Sequence, residues 1–163
     1  MKSNIKVAYL ASGCFWGTEY WLNKTKGVTS TSVGYCGGKT ENPTYEDICT
    51  GTTQHAETAK VEYDTTLTTY ENILKKFFET HDPSQINRQG PDIGTQYRSA
   101  IFYKTEEEKE TALKVIDLLK AKGFEVVTEL TKFDKFWTAE NHHQNYYYKK
   151  GQIPYCHIYK KKF

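Results

Sequence analysis

Apolar and polar residues alternate along several segments of this chain with the period of β-strands. The clearest case is "TAKVEYD", where Ala59, Val61 and Tyr63 fall on one face and charged side chains on the other. Such alternation predicts a half-buried strand. The runs "IKVAYLAS", "VTSTSVGY", "RSAIFYK" and "FEVVTEL" are apolar or β-branched and also predict strands.

Other segments have the spacing of helices with one apolar face. "TEEEKETALKVIDLLKAKG" combines an acidic first turn, an apolar stripe and Gly123 as a stop, and it is the strongest helix prediction. "TYENILKKFFETHD" carries five apolar or aromatic positions at helical spacing. We predict shorter helices in "FWGTEYWLNKTKG", closed by Gly27, and in "AENHHQNYYYKKG".

Strands and helices alternate irregularly, with a strand-to-strand step between positions 28 and 64. This order favours an α+β fold, which we predict as a two-layer sandwich of a mixed sheet with helices, a ferredoxin-like core and long loops. We find no repeat or linker and predict a single domain over residues 1–163. Two polar stretches, 37–53 and 82–96, exceed what a connection requires and are expected to be functional.

Composition and charge exclude several classes of partner. Charged residues make up 26% of the 163 residues and hydrophobic ones 37%, and the formal net charge is +2. A balance so close to neutral gives no reason to expect nucleic acid as a partner, and no stretch approaches the roughly 20 apolar residues that span a membrane. The N-terminal stretch lacks the pattern of a signal peptide, so we expect a cytoplasmic protein, and we expect a monomer.

The chain has four cysteines, Cys14, Cys36, Cys49 and Cys156. None forms a CxxC pair, which disfavours a zinc ribbon or a thioredoxin-type dithiol. A scattered zinc site that uses His55, His142 or His143 stays open as an alternative. In a reducing compartment, chemistry at one nucleophilic cysteine is the better hypothesis.

Cys14 has the surroundings of a reactive thiol. It stands in "GCFWG", where a predicted strand gives way to a predicted helix. Backbone N–H groups and the positive end of the helix dipole stabilise a thiolate at that position. Phe15 and Trp16 offer rings beside the sulfur, suited to a small apolar group. The alternative is a buried, inert cysteine among core rings, and the pattern alone leaves the two readings even.

Three blocks in the chain carry a resemblance to a known family: "GCFWGTE", "GYCGGKTENPTYEDICTGTTQHAE" and "RQGPDIGTQYRSAIF". Together they resemble the signature blocks of peptide methionine sulfoxide reductase A, and the similarity covers nearly the whole chain. The resemblance implies reduction of the S-epimer of methionine sulfoxide, free or in proteins. It makes Cys14 the nucleophile and places the substrate's S-methyl group against Phe15 and Trp16.

The resemblance also assigns a polar side to the site. It makes Glu57 of "HAE" the proton donor to the sulfoxide oxygen, with Tyr45, Asp92 and Tyr97 completing that side. Oxygen leaves the sulfoxide sulfur only when protonated, so this carboxyl must stay protonated near neutral pH, which requires burial. Read without the resemblance, Glu57 is a surface strand residue, Asp92 a turn residue and the tyrosines packing rings.

The product at Cys14 is then a sulfenic acid, which condenses with a second thiol. Cys156, in a polar tail that we expect to be mobile, resembles the family's recycling cysteine, and thioredoxin is the implied reductant. Direct reduction by an external thiol, or resolution by Cys36, stays open, and we expect structural roles for Cys36 and Cys49. The resemblance implies no metal, flavin or nucleotide as cofactor.

The chain departs from the family's pattern at three places. Gln54 replaces a usual glycine before "HAE", His142 stands where tyrosine is commoner, and "EYDTT" lacks a proline after the aspartate. None of these positions carries a proposed chemical group, so we expect the departures to leave the activity intact and to affect only details of the pocket around Glu57.

Two rival functions remain open on the sequence. One is a cysteine hydrolase or acyltransferase that uses Cys14 with His55 or His81 as the base. The other is a redox-sensing domain, in which Cys14 is oxidised by the substrate but does not turn over.

Overall fold

The computed structural model describes residues 4–152, 157 and 159–163. Within these residues the strands are β1 (Ile5–Ser12), β2 (Val28–Cys36), β3 (Ala56–Asp64), β4 (Arg88–Gln89), β5 (Asp92–Ile93), β6 (Ser99–Tyr103), β7 (Glu129–Lys132) and β8 (Phe136–Thr138). The α-helices are α1 (Phe15–Asn23), α2 (Tyr45–Cys49), α3 (Tyr70–Glu79), α4 (Glu106–Ala121) and α5 (Tyr146–Lys150). Short 3-10 helices span Thr95–Tyr97 and Asn141–His143.

Six strands form one mixed sheet in the order β7-β6-β1-β3-β2-β8, and β4 pairs with β5 in a separate hairpin. Strands β6 and β7 are parallel, whereas the other neighbours in the large sheet are antiparallel. The inner strands β6-β1-β3-β2, with α1 after β1 and α3 after β3, have the ferredoxin-like arrangement. The predicted α+β class with a mixed sheet is confirmed.

The main core lies between the central strands and helices α1, α3 and α4. Its buried side chains from the sheet include Leu10, Val61 and Tyr63, and those from the helices include Leu22 and Phe77. The apolar faces predicted for β3, α3 and α4 are all buried there. The opposite face of the sheet packs a smaller cluster around Ala11 and Phe102. Burial of both faces makes the sheet a rigid support for the turns at its ends.

Two sequence-based element predictions need correction. The strand expected in "FEVVTEL" is present only from Glu129, where it pairs with β6, while Phe124 and Val126 pack on the core without joining the sheet. Apolar side chains alone therefore misled the prediction, because burial does not require strand pairing. Helix α1 ends at Asn23, before Gly27, whose φ of 90° belongs to the following turn.

The described residues of the C-terminal tail are hydrogen-bonded to the body of the protein. The backbone N–H of Lys160 donates to the carbonyl of Glu79 at 2.7 Å, and Lys162 Nζ donates to the carbonyls of Phe78 and His81. The Lys162 ammonium thus satisfies carbonyls at the C-terminal end of α3, where a positive charge is favoured. In the part of the chain that the structure describes, no helix has the length and apolar character required to cross a bilayer.

Candidate active site

Cys14 lies at the junction of β1 and α1, as the sequence predicted. It is the N-cap of α1, is partly exposed, and its carbonyl accepts from the backbone N–H groups of Gly17 and Thr18 at 3.2 and 3.3 Å. Gly13 reaches this turn with a φ of 97°, a conformation that glycine adopts without a steric penalty. The Cys14 side chain is therefore attached at the positive end of the helix dipole, which favours the thiolate form.

Glu57 lies on β3 with no solvent exposure, so it is not a surface strand residue. Its Oε1 accepts the backbone N–H of Phe15 at 3.2 Å, while Oε2 has no hydrogen-bond partner among the described residues. Burial raises the pKa of Glu57 to about 8, and the negative charge of Asp92 adds to this rise, against the lowering by the Phe15 N–H. The carboxyl that contacts the residue after Cys14 thus favours its protonated form at neutral pH.

Tyr45 and Tyr97 belong to the same cluster. Tyr45 opens α2, and Tyr97 ends the 3-10 helix that follows the β4–β5 hairpin. Burial raises the pKa of both phenols, and the nearby charge of Glu57 raises both further; Asp92 and Cys14 also act on Tyr97. Both hydroxyls therefore keep their protons and can donate hydrogen bonds to a substrate oxygen.

The two rings after Cys14 have different surroundings. Phe15 has no exposed surface and packs against Tyr35, with ring centroids 5.7 Å apart. Trp16 is partly exposed, stacks on Tyr146 at 3.8 Å, and donates its indole N–H to His143 Nδ1 at 3.1 Å. Trp16 is consequently the more accessible of the two rings, and it packs against the buried cluster that contains Phe15.

Three residues of this site were not predicted from the sequence: Glu140, His143 and Tyr146. Glu140 accepts the Tyr35 hydroxyl at 2.9 Å and the backbone N–H of Tyr45 at 3.0 Å, which ties α2 to the sheet. The buried His143 lies between Trp16 and Tyr45, with its ring centroid 4.5 Å from that of Tyr45. Their contacts join positions 95 to 130 residues apart, and only the dense polar-aromatic run "AENHHQNYY" indicated them.

The remaining cysteines differ in accessibility. Cys36 is buried in the sheet, and burial raises the pKa of its thiol to about 12. A thiol held in its neutral form reacts slowly, so Cys36 is a poor candidate for resolving a sulfenic acid. Cys49 is exposed at the end of α2. Cys156 lies outside the described residues, and its role stays a prediction.

The histidines considered as bases for a hydrolase use both ring nitrogens elsewhere. His55 contacts the N–H of Gly38 and the carbonyl of Thr40, and His81 contacts the carbonyl of Phe77 and the Ser99 hydroxyl. Burial lowers the pKa of His81 to about 3. Neither histidine is available as a base for Cys14. Across residues 4–152, 157 and 159–163, no group of three or more His, Cys, Asp or Glu side chains is placed to hold a metal ion.

Comparison with known proteins gives a consistent result. Residues 6–163 match the family model described as peptide methionine sulfoxide reductase. A peptide methionine sulfoxide reductase MsrA of Nautilia profundicola is 49% identical over 149 residues, covering 91% of this chain and 86% of the relative.

Solved structures agree with the sequence relatives. The reduced form of Mxr1 from Saccharomyces cerevisiae superposes with a TM-score of 0.88 at 32% identity, covering 96% of this chain and 93% of that one. The same yeast protein in complex with Trx2 has a TM-score of 0.66 at 24% identity, covering 98% and 95%. From the family match over nearly its full length and the relative at almost half identity, the chain belongs to the peptide methionine sulfoxide reductase family and is an enzyme that reduces methionine sulfoxide.

Proposed function

We propose that the Cys14 thiolate attacks the sulfur of methionine-S-sulfoxide and that the Glu57 carboxyl protonates the departing oxygen. The observation that carries this proposal is the fully buried Glu57, with a pKa of about 8, hydrogen-bonded to the N–H of the residue that follows Cys14. A neutral carboxylic acid is the group that this chemistry requires near neutral pH.

The step balances as a two-electron oxygen transfer. Cys14 Sγ bonds to the methionine sulfur while Glu57 supplies one proton to the oxygen. The sulfur–oxygen bond and the new sulfur–sulfur bond then break as the hydroxyl oxygen bonds to Cys14 Sγ. The products are methionine, a sulfenic acid on Cys14 and the Glu57 carboxylate. Tyr45 and Tyr97 donate hydrogen bonds to the oxygen without adding charge, and Trp16, backed by Phe15, holds the methyl group. Asp92 helps to keep Glu57 protonated, since its negative charge raises the pKa of that carboxyl.

A second thiol then attacks the sulfenic acid, releasing water and forming a disulfide. We propose Cys156 for this role and thioredoxin as the dithiol that reduces the disulfide. The burial of Cys36 disfavours the alternative thiol, and the yeast relative has been crystallised with Trx2. We also propose that the chain acts as one cytoplasmic domain and as a monomer.

An assay of both sulfoxide epimers tests the proposal. With dithiothreitol, we expect turnover of the S-epimer and none of the R-epimer. After one round on the reduced protein without dithiothreitol, mass mapping should show a Cys14–Cys156 disulfide. Multiple turnovers also distinguish the enzyme from a redox sensor, which would stop after one. Equal use of both epimers, or a disulfide that lacks Cys14, would refute the mechanism.

Cys156→Ser separates the two steps. We expect this variant to release one methionine per chain and then fail to cycle with thioredoxin, because it lacks the thiol proposed to form the disulfide with Cys14. Normal cycling with thioredoxin would assign resolution to another thiol. Cys49→Ser, which alters an exposed thiol at the end of α2, is the matched control and should cycle normally.

A further inference from the structure

His157, in the C-terminal tail, is buried against the turn that carries Cys14. Its side chain is 1% exposed, and its Nε2 contacts the carbonyl of Ser12, the last residue of β1. Because a carbonyl only accepts, Nε2 carries the proton and donates it. Burial lowers the pKa of His157 to about 4, so the ring is neutral in the physiological range.

The same ring explains the second glycine of "GCFWG". A Cβ placed on Gly17 would overlap Nδ1 and the adjoining ring atoms of His157, and one on Gly13 would lie 3.6 Å from its Cε1. The close approach that Gly17 permits is therefore an approach by the tail, whereas the side chain of Gln89 is the nearest neighbour of Gly13. Gly17 donates its backbone N–H to the carbonyl of Cys14, so the ring rests on the first turn of the helix that Cys14 caps.

The backbone of His157 is fixed as well. Its carbonyl accepts the indole N–H of Trp21, on α1, at 2.8 Å. The residue thus bridges the end of β1, through Ser12, and the body of α1, through Trp21. The positions of these two elements together set the direction of the Cys14 side chain.

We propose that His157 is a positioning residue for the nucleophile, which holds the β1–α1 turn so that Cys14 faces the substrate and Glu57. The proposal rests on the proposed function of Cys14. It assigns the tail a part in the first chemical step, separate from the recycling for which Cys156 is proposed.

The test uses Cys156→Ser as the parent, so that recycling does not affect the result. The measurement is the rate at which one equivalent of methionine is formed, together with the rate of Cys14 alkylation by iodoacetamide across pH. His157→Phe keeps a ring of similar size and loses the bond to Ser12. Since small misplacements at a reacting centre cost up to about 100-fold, we expect the methionine rate to fall by about 10-fold or more.

His157→Gln supplies the conservative variant, because its side-chain amide can donate to the Ser12 carbonyl. We expect it to restore most of the methionine rate. Lys162→Met is the matched control: it removes the other tail anchor, at Phe78 and His81, without contact to the Cys14 turn. It should lower thermal stability and leave the methionine rate unchanged.

Three results would overturn the proposal: a parental rate in His157→Phe, equal slowing in His157→Phe and Lys162→Met, or no recovery in a folded His157→Gln. If His157→Phe does not fold, Trp21→Phe loosens the same residue from its carbonyl side and must also slow methionine formation. A parent that forms no methionine would instead refute the proposed function of Cys14.

Discussion

Burial of Glu57 gives its carboxyl the raised pKa that the reaction requires and lowers the stability of the folded protein. Its carboxyl lies on a strand inside the protein, where removal from water disfavours the charged form. The folded protein therefore holds a proton there up to a pH of about 8, whereas an unfolded glutamate releases it near 4.3. Folding must weaken as pH rises through this window, because the folded state binds the extra proton.

Glu57→Gln should remove this loss of stability. The amide keeps an acceptor for the Phe15 N–H but does not titrate. The difference in free energy of unfolding between the variant and wild type should therefore increase between pH 5 and 8, in favour of the variant, by on the order of a few kcal/mol. Urea unfolding at several pH values measures it. Glu110→Gln, at an exposed position of α4, is the control and should show no such trend. A difference in free energy of unfolding between Glu57→Gln and wild type that stays constant with pH would mean that Glu57 is ionised in the folded protein.

Gln54, one of the departures from the family pattern, has a backbone conformation that explains the usual glycine. Its φ is 64°, in the left-handed region, and its side chain is exposed. A residue with a Cβ is strained there, whereas glycine is not. The departure therefore affects the backbone before "HAE" and adds no group to the pocket.

Gln54→Gly should stabilise the protein by about 0.5 to 1 kcal/mol, since the relieved strain exceeds the added flexibility of the unfolded chain. Thermal unfolding should show a rise of about 2 °C or more. Gln54→Ala keeps the strained φ and should give no gain. A lower melting temperature for Gln54→Gly would contradict this account.

Helix α2 shows that a very short element can carry a site residue when its ends are fixed. Thr44 accepts the N–H of Asp47 at 3.2 Å and Asp47 accepts the N–H of Thr44 at 3.0 Å, forming a capping box, while Glu140 accepts the N–H of Tyr45. Without these bonds a five-residue helix is not stable in water. The position of the Tyr45 hydroxyl thus depends on the cap.

Thr44→Ala should cost about 1 kcal/mol of stability and also lower kcat, because Tyr45 loses its fixed position. Thr105→Ala is the matched control: Thr105 caps α4 by the same bond, to the N–H of Glu108, away from the site. It should cost similar stability and leave kcat unchanged. An equal effect of both variants on kcat would refute the role of α2 in placing Tyr45.

The elements that could be predicted from sequence are those whose pattern is local. The stripes of α3 and α4 and the alternation of β3 repeat several times within one element, and all three are present. The hairpin of Arg88–Gln89 with Asp92–Ile93 was missed because two-residue strands contain no period. Contacts of His143 and His157 with the Cys14 region were missed because they join distant segments.

The described residues of the C-terminal tail contact several elements of the fold. His157 packs on the turn before α1, Lys162 caps the end of α3, and Phe163 packs against the main core. Burial lowers the pKa of His81 to about 3 and that of His157 to about 4, so both rings are neutral inside the fold. An unfolded histidine binds a proton below about pH 6.5, so the free energy of unfolding depends on pH in this range.

These two histidines should therefore lower stability as pH decreases from 6.5 toward 4, because the unfolded chain takes up protons that the folded protein excludes, and this contribution opposes that of Glu57. Each such histidine contributes a slope of up to about 1.4 kcal/mol per pH unit. His157→Gln should reduce the pH dependence of the free energy of unfolding by up to about 1.4 kcal/mol per pH unit, the contribution of one proton. Urea unfolding between pH 4 and 6.5 measures it. His142→Gln, at an exposed position, should not change it. An unchanged slope in His157→Gln would show that His157 is accessible to protons in the fold.

The central claim is that a protonated Glu57 delivers the proton when Cys14 attacks the sulfoxide. The most direct measurement is the pH dependence of single-turnover methionine formation, in Cys156→Ser with and without Glu57→Gln. We expect a rate that declines above pH 8 as Glu57 ionises, and a rate about 10²-fold to 10⁴-fold lower, without that decline, in the Glu57→Gln variant. A rate that stays level to pH 10, or a Glu57→Gln variant as fast as its parent, would contradict it.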